Sequence, residues 1–373
     1  MKLFLPIAMI FSALFFNAST ALAWGGRGHH TICDAATFLV KNDELRAFLT
    51  QRPQMMGHLC NVPDIYWKSL SGVVISIGSP THYIDPEVLG LPIDQVPLDF
   101  AKIITDYTGK IDATSKDRKI IDIPSELGSI WWRVDDLQKM AVQLGDKIKA
   151  VPAPANRNEE QNDNLEYNKL IYQYFIITGV MGHYVGDSSQ PLHSSSNYDG
   201  WDNGHGGLHS FYEDAGVSAQ PYNLHAKIVE QGMKYQKLAE ANRKTMKPNS
   251  DLAFLNSATT LEKMRAMTLI ANKELKGVEK IDPVTKPSVL KEEKGMRIKT
   301  VAERKPVESV AKEFGVLIVK EMGRSAALLA QLWDETYIQI GTPKLAAYKS
   351  YKYPFTPEFI RPSYVPEAVK KEK

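Results

Sequence analysis

From Gly28 onward, apolar residues recur mainly at the three-and-four spacing of helices that hide one face. Over residues 28–50 the stripe is Ile32, Ala35, Ala36, Leu39 and Val40. Residues 51–98 are rich in Pro and Gly with little periodicity, which predicts loop and short turns. Weaker helices are predicted over 98–108 and 124–149, the second striped by Ile130, Trp131, Val134, Leu137, Ala141 and Leu144. A polar stretch, 151–164, reads as a loop. Residues 165–187 then form the most apolar segment after residue 23, with Leu170, Ile171, Tyr174, Phe175, Ile177, Val180 and Met181. Apolar on most sides, that segment is predicted to be the central, buried helix. Amphipathic helices follow over 222–246 and 256–276, and a last one over 307–338. Between these, 278–306 carries many charges with Pro283, Pro287 and Pro306, and predicts a mobile, solvent-exposed insertion. The tail from Thr342 has no period. No internal repeat is present, and strand signals are too sparse for a sheet-based fold. The expectation is an all-α, compact helical single domain over 24–341, containing the charged insertion and followed by a tail over 342–373.

The start of the chain has a separate pattern. Lys2 precedes the apolar run Leu3 to Phe16, and Ala21-Leu22-Ala23 supplies a small-x-small cleavage site. Together these predict a secretory leader over 1–23, and hence a secreted or periplasmic protein. Cleavage after Ala23 would leave Trp24 with a free α-amino group. No later stretch reaches the roughly 18 apolar residues of a membrane span. The formal charge of +2 falls to +1 without Lys2, which argues against a large basic face for duplex nucleic acid. The two cysteines, Cys33 and Cys60, would form one disulfide in an exported chain or remain as two buried thiols.

Chemistry concentrates in the histidines. Of nine, four lie in Gly182-His-Tyr-Val-Gly-Asp-Ser-Ser-Gln-Pro-Leu-His193 and Leu208-His-Ser-Phe-Tyr-Glu213, or immediately between them. His183 and Asp187 are four apart, so a helix projects both from one face, and His209 and Glu213 repeat the spacing. Imidazole nitrogen with carboxylate oxygen suits a borderline cation such as zinc. Upstream stand His29, five residues after Trp24, then Asp64, and His82 in Pro80-Thr-His-Tyr-Ile-Asp85.

In this order the residues resemble the superfamily that joins zinc-dependent phospholipases C and single-strand-specific zinc nucleases. Those proteins are nearly all helical and begin, after leader removal, with a metal-ligating tryptophan. The resembling span runs from 24 to about 214, with a weaker echo over 324–337. By position, the resemblance implies three zinc ions. Asp64, His82, His183 and Asp187 would bind one. Asp187 would bridge to a second, held by His29 and the amino nitrogen and carbonyl oxygen of Trp24. His193, His209 and Glu213 would bind the third. It further implies phosphodiester hydrolysis by a metal-activated water, with Asp64 doubling as the base that orients it. Tyr66, Tyr83 and Lys68, next to or near ligands, are candidate substrate-binding residues.

The substrate signals are mixed. The Trp-Gly-x-x-Gly-His opening is similar to the nucleases. Glu213 in place of Asp, the short His193-to-His209 gap, Trp67 where nucleases carry an Arg, and Gln331-Leu-Trp-Asp-Glu-Thr-Tyr337 are similar to the phospholipases. Arg27 stands where well-known phospholipases place an acidic residue for choline, which argues against a choline preference. The reading leans to a phospholipid headgroup as substrate, with single-stranded nucleic acid as the alternative and an inactive binding relative as the third.

Overall fold

The computed structural model describes residues 24–245, 249–293, 296–345 and 357–365. The leader expected over 1–23 lies outside the described residues, as do the cleavage and free amine that depend on it. The fold is mostly helical. Ten helices of seven or more residues are described: α1 Gly25–Leu39, α2 Asp43–Thr50, α3 Pro53–Ile65, α4 Gly72–Gly78, α5 Phe100–Tyr107, α6 Ile130–Lys149, α7 Glu166–Asp187, α8 Leu224–Thr245, α9 Thr260–Ile281 and α10 Ala311–Gln339. No helix among the described residues is long and apolar enough to cross a membrane.

The central position of α7 follows from its composition. From Ile177 to Asp187 every residue is buried, and α1, α3, α6 and α10 all pack on it. Close approach is achieved by small residues. A Cβ at Gly182 would meet the Cys33 sulfur and Leu329, so α1 and α10 come nearer than a side chain there would permit. Trp333 of α10 locks the pair by donating its indole N–H to Thr178 O at 3.0 Å. At the chain's other end, the Asp334 carboxylate accepts from the backbone N–H groups of Lys41 and Asn42 (2.7 and 2.9 Å), fixing the entry to α2. α9 starts with a reciprocal capping box between Thr259 and Glu262.

Two expectations need correction. The 51–98 region is not loop throughout, because Pro53 takes the first helical position, where its missing N–H costs nothing, and α3 runs for 13 residues. Met55, Met56, Leu59, Cys60 and Val62 supply its buried face, and Asp64 therefore sits on a helix rather than in a loop. The 278–306 segment, expected as a mobile, solvent-exposed insertion, has regular structure. Its first four residues finish α9, and the rest forms two antiparallel ribbons. β1 (Val284–Lys286) pairs with β4 (Glu303–Arg304), and β2 (Val289–Glu293) pairs with β3 (Met296–Thr300). Arg304 anchors them, pairing with Asp282 at 2.7 Å and donating to His205 O at 2.6 Å. The tail, for which no period predicts an element, is anchored where it is described. Trp67 Nε1 donates to Pro357 O at 2.8 Å, Phe359 packs edge-on against that indole, and the Ser363 N–H donates to Asp136 at 3.0 Å.

Candidate metal centre

Seven short stretches of chain converge at the C-terminal end of α7. Its last turn offers His183 and Asp187 from one face. α1 contributes His29 and α3 contributes Asp64. Two 3-10 turns, Ser79–His82 and Pro191–Ser194, deliver His82 and His193. His209 and Glu213 come from the turn Leu208–Ser210 and the π-type turn that continues it over Phe211–Gly216. Such widened turns cluster at functional sites because they re-aim one side chain. Trp24, in the left-handed region at φ 50°, donates its backbone N–H to Glu213 Oε2 at 3.2 Å and its indole N–H to Gly186 O at 2.8 Å.

Asp187 is the hub. Its carboxylate lies 3.2 Å from His29 Nε2, 3.0 Å from His82 Nδ1 and 3.3 Å from His183 Nε2. Asp64 Oδ1 is 3.6 Å from His183 Nε2 and 2.6 Å from Lys68 Nζ. On the other side, Glu213 Oε2 lies 2.8 Å from His209 Nε2, which is 3.0 Å from His193 Nε2. Backbone carbonyls orient two of the rings. His183 Nδ1 donates to Cys60 O at 2.8 Å, and His193 Nδ1 donates to His82 O at 2.6 Å, so each turns its Nε2 lone pair inward. Gln190 donates to Glu213 at 3.0 Å, and Asp199 accepts from the backbone N–H of His209 at 3.1 Å. Sequence reasoning did not single out either; only the Gln-Pro before His193 hinted at Gln190.

The donor set fits cations. Asp64 Oδ2, Asp187 Oδ1, Glu213 Oε1 and both ring nitrogens of His29 are buried without a hydrogen-bond partner, an arrangement that costs several kcal/mol unless a charge satisfies it. Burial pushes His29 and His193 below the usual histidine range, and takes His82 and His209 down to about 4, so these rings are neutral at physiological pH, the form in which an imidazole can accept a cation. Burial would raise Asp64, but the charges of His183, Lys68 and His82 outweigh it and hold the carboxyl at about 2. Asp187 is likewise held well below its usual range by His183, His193 and His29 against the opposing effect of burial. Glu213 is the exception, pushed well up by burial.

Three groups could hold metal ions: His29 with Asp64 and His183; His82 with His183 and Asp187; and His193 with His209 and Glu213. The last is the trio expected from sequence. The other two divide the expected ligands differently, since His29 gathers with Asp64 and His183, while the Trp24 nitrogen faces Glu213 and the Trp24 carbonyl accepts from Gly28 at 3.0 Å.

A pocket of 340 Å³ opens onto this centre. Lys68, His82, Tyr83, Asp85, His193 and Tyr198 contribute to its lining. Of the three candidate substrate residues, Lys68 and Tyr83 reach it and Tyr66 does not. Tyr66 is two residues from Asp64, roughly 200° around a helix, and its ring packs edge-on against His58 instead. Lys68, four residues on, returns to the Asp64 face. Tyr83 presents its ring, its hydroxyl donating to Ser125 O at 2.7 Å. Arg27 is engaged elsewhere, donating to the carbonyls of Val217 and Ser218 at 2.8 and 2.9 Å. No family model matches the chain, and no curated protein sequence matches it.

Proposed function

We propose that the protein is a zinc-dependent phosphodiester hydrolase whose substrate is a phospholipid. The observation that carries the reading is the convergence of Asp64, Asp187 and Glu213 with five buried imidazoles, three of which (His82, His193 and His209) line a pocket that also receives Lys68. A site dominated by imidazole nitrogen, with carboxylates completing it, suits zinc better than calcium or magnesium. Bound zinc would supply positive charge opposite phosphoryl oxygens and lower the pKa of water at the site.

The side chains divide the remaining work. Asp64, ionised, accepts a hydrogen bond from the attacking water and so orients it toward phosphorus. Lys68 is held charged: burial opposes this, but the Asp64 carboxylate outweighs it and raises the ammonium above its usual range. The Lys68 ammonium can therefore pair with a phosphate oxygen at the pocket wall. The rings of Tyr83 and Tyr198, with Leu192, give apolar walls for the rest of the substrate. A phospholipid is favoured over single-stranded nucleic acid because the position where nucleases carry an arginine holds Trp67, buried and committed to Pro357 and Phe359. Lys68 is then the one Lys or Arg among the pocket-lining residues.

The test uses purified full-length protein. Chelation should abolish hydrolysis of bis(p-nitrophenyl) phosphate, and zinc should restore it. Phosphorylated headgroup should be released from phospholipid while single-stranded DNA and RNA stay intact; the reverse specificity would sink the phospholipid assignment, and inactivity with zinc bound would sink the hydrolase. Replacing Lys68 with Met should lower kcat/KM roughly ten- to hundredfold, the loss of one charge-assisted contact to phosphate, with zinc content unchanged. A parallel fall in zinc content would instead assign Lys68 to holding Asp64 in place.

A further inference from the structure

Two exposed apolar runs lie near residues that line the pocket. The first spans 65–75, where Ile65, Leu70, Val73 and Ile75 are 46, 46, 66 and 39% exposed, and no residue of α4 is buried. Lys68 lies within this run and Ser79 follows it closely, and both line the pocket. The second is the β2–β3 ribbon with the residue after it. Leu290, Ile298 and Val301 are 44, 43 and 59% exposed. Lys299 of this ribbon sits over the Trp201 ring at 4.9 Å, three residues beyond Tyr198, which also lines the pocket. Exposed apolar residues scattered singly need no explanation, whereas runs gathered beside a site mark a surface that meets something apolar.

The ribbon's charge narrows the partner. Residues 284–305 contain seven Lys or Arg against three Glu, a local excess of +4 in a chain whose total is +2. The paired register places Lys291 opposite Ile298 on one face and Lys299 opposite Leu290 on the other, so each face of the ribbon pairs a lysine with an apolar residue. A two-stranded ribbon is marginally stable alone. Apolar residues interleaved with lysine match the boundary of an anionic bilayer, where the former enter the acyl region and the latter meet lipid phosphates.

We infer that the 65–75 run and the 289–301 ribbon are the surface by which this protein docks onto an anionic phospholipid bilayer, bringing the pocket to its substrate. The inference rests on the phospholipid reading above, and it gives that reading a delivery route. Docking leaves the metal centre untouched, so the surface and the chemistry separate experimentally.

The test is flotation of the full-length protein with vesicles of phosphatidylcholine containing phosphatidylglycerol, and with phosphatidylcholine alone. Native protein should float with the former and be released by salt. Replacing Lys291 and Lys299 together with Gln should weaken partitioning roughly thirtyfold, each lysine near a charged surface contributing about 1 kcal/mol. Leu290→Ser with Ile298→Ser, and separately Val73→Ser with Ile75→Ser, should each reduce it. All three variants should hydrolyse soluble bis(p-nitrophenyl) phosphate at the native rate, which also reports that they fold. Variants that float like native protein overturn the docking surface, as does native protein that cleaves the soluble diester yet ignores anionic vesicles. Variants that instead lose binding to a single-stranded oligonucleotide, or change oligomeric state, also overturn it and assign the surface to nucleic acid or a second copy of the chain. Vesicle binding that depends on these residues in a protein without diesterase activity sustains the docking surface and removes the hydrolase.

Discussion

Asp187→Asn is expected, on the proposed hydrolase reading, to strip cations from the centre and to lower kcat/KM on a soluble phosphodiester by roughly a thousandfold or more, because several kcal/mol of charge stabilisation would depend on the ions that this carboxylate would help hold. The magnitude follows from its position as the hub. One carboxylate faces His29, His82 and His183 at 3.0–3.3 Å, so its loss removes the anionic partner of three imidazoles at once. Asparagine keeps the size and one acceptor, so the fold survives and the measurement isolates charge. Metal per chain after dialysis against a weak chelator should drop well below the native value, while a thermal melt still shows one cooperative transition. Native metal content in the variant would refute the ligand assignment. His193→Ala, on the Glu213 side, should leave the Asp187 group loaded and so produce a smaller loss of metal.

That contrast depends on which parts of the site are local and which are tertiary, and the sequence exposes only the former. His183 with Asp187 and His209 with Glu213 are readable because a four-residue spacing fixes a shared face on any helix. The pairing of His29 with Asp64 and His183 is set by how α1 and α3 lean on α7, and no spacing encodes it. Asp64 itself is legible as a ligand, but its helical setting is hidden for a different reason. Pro53, Gly57 and Pro63 imitate the composition of a loop, although one proline starts α3 and the other falls within it without ending it. The same error carried Tyr66 into the pocket, since only a helical turn reveals that Lys68 and not Tyr66 shares the Asp64 face. The ribbons over 284–304 were missed because neither face is buried, so no alternation of apolar and polar residues marks them. Contacts such as Trp67 with Pro357 join residues nearly 300 positions apart and have no local signature at all.

Replacing Cys33 and Cys60 with Ala is the second large effect expected, and it acts on stability first and on the metal centre second. The two are joined in the structure, 27 residues apart in sequence, and buried. Closing a loop of that length removes unfolded-state entropy equivalent to about 3.5 kcal/mol, which for a chain of this size corresponds to a fall in Tm of roughly 5 °C. The bond also ties α1, which carries His29, to α3, which carries Asp64, and the Cys60 carbonyl is the acceptor that sets the His183 ring. Loss of the bond should therefore weaken metal retention as well. Bound cations favour the folded state alone, so they mask part of the loss by mass action. Melts with chelator present should show a larger difference between variant and native protein than melts with zinc in excess. Equal Tm values with and without the disulfide, under chelation, would show that α1 and α3 are held by packing around Gly182 alone. A difference that vanishes in zinc would show that the cations and the disulfide hold the same two helices together.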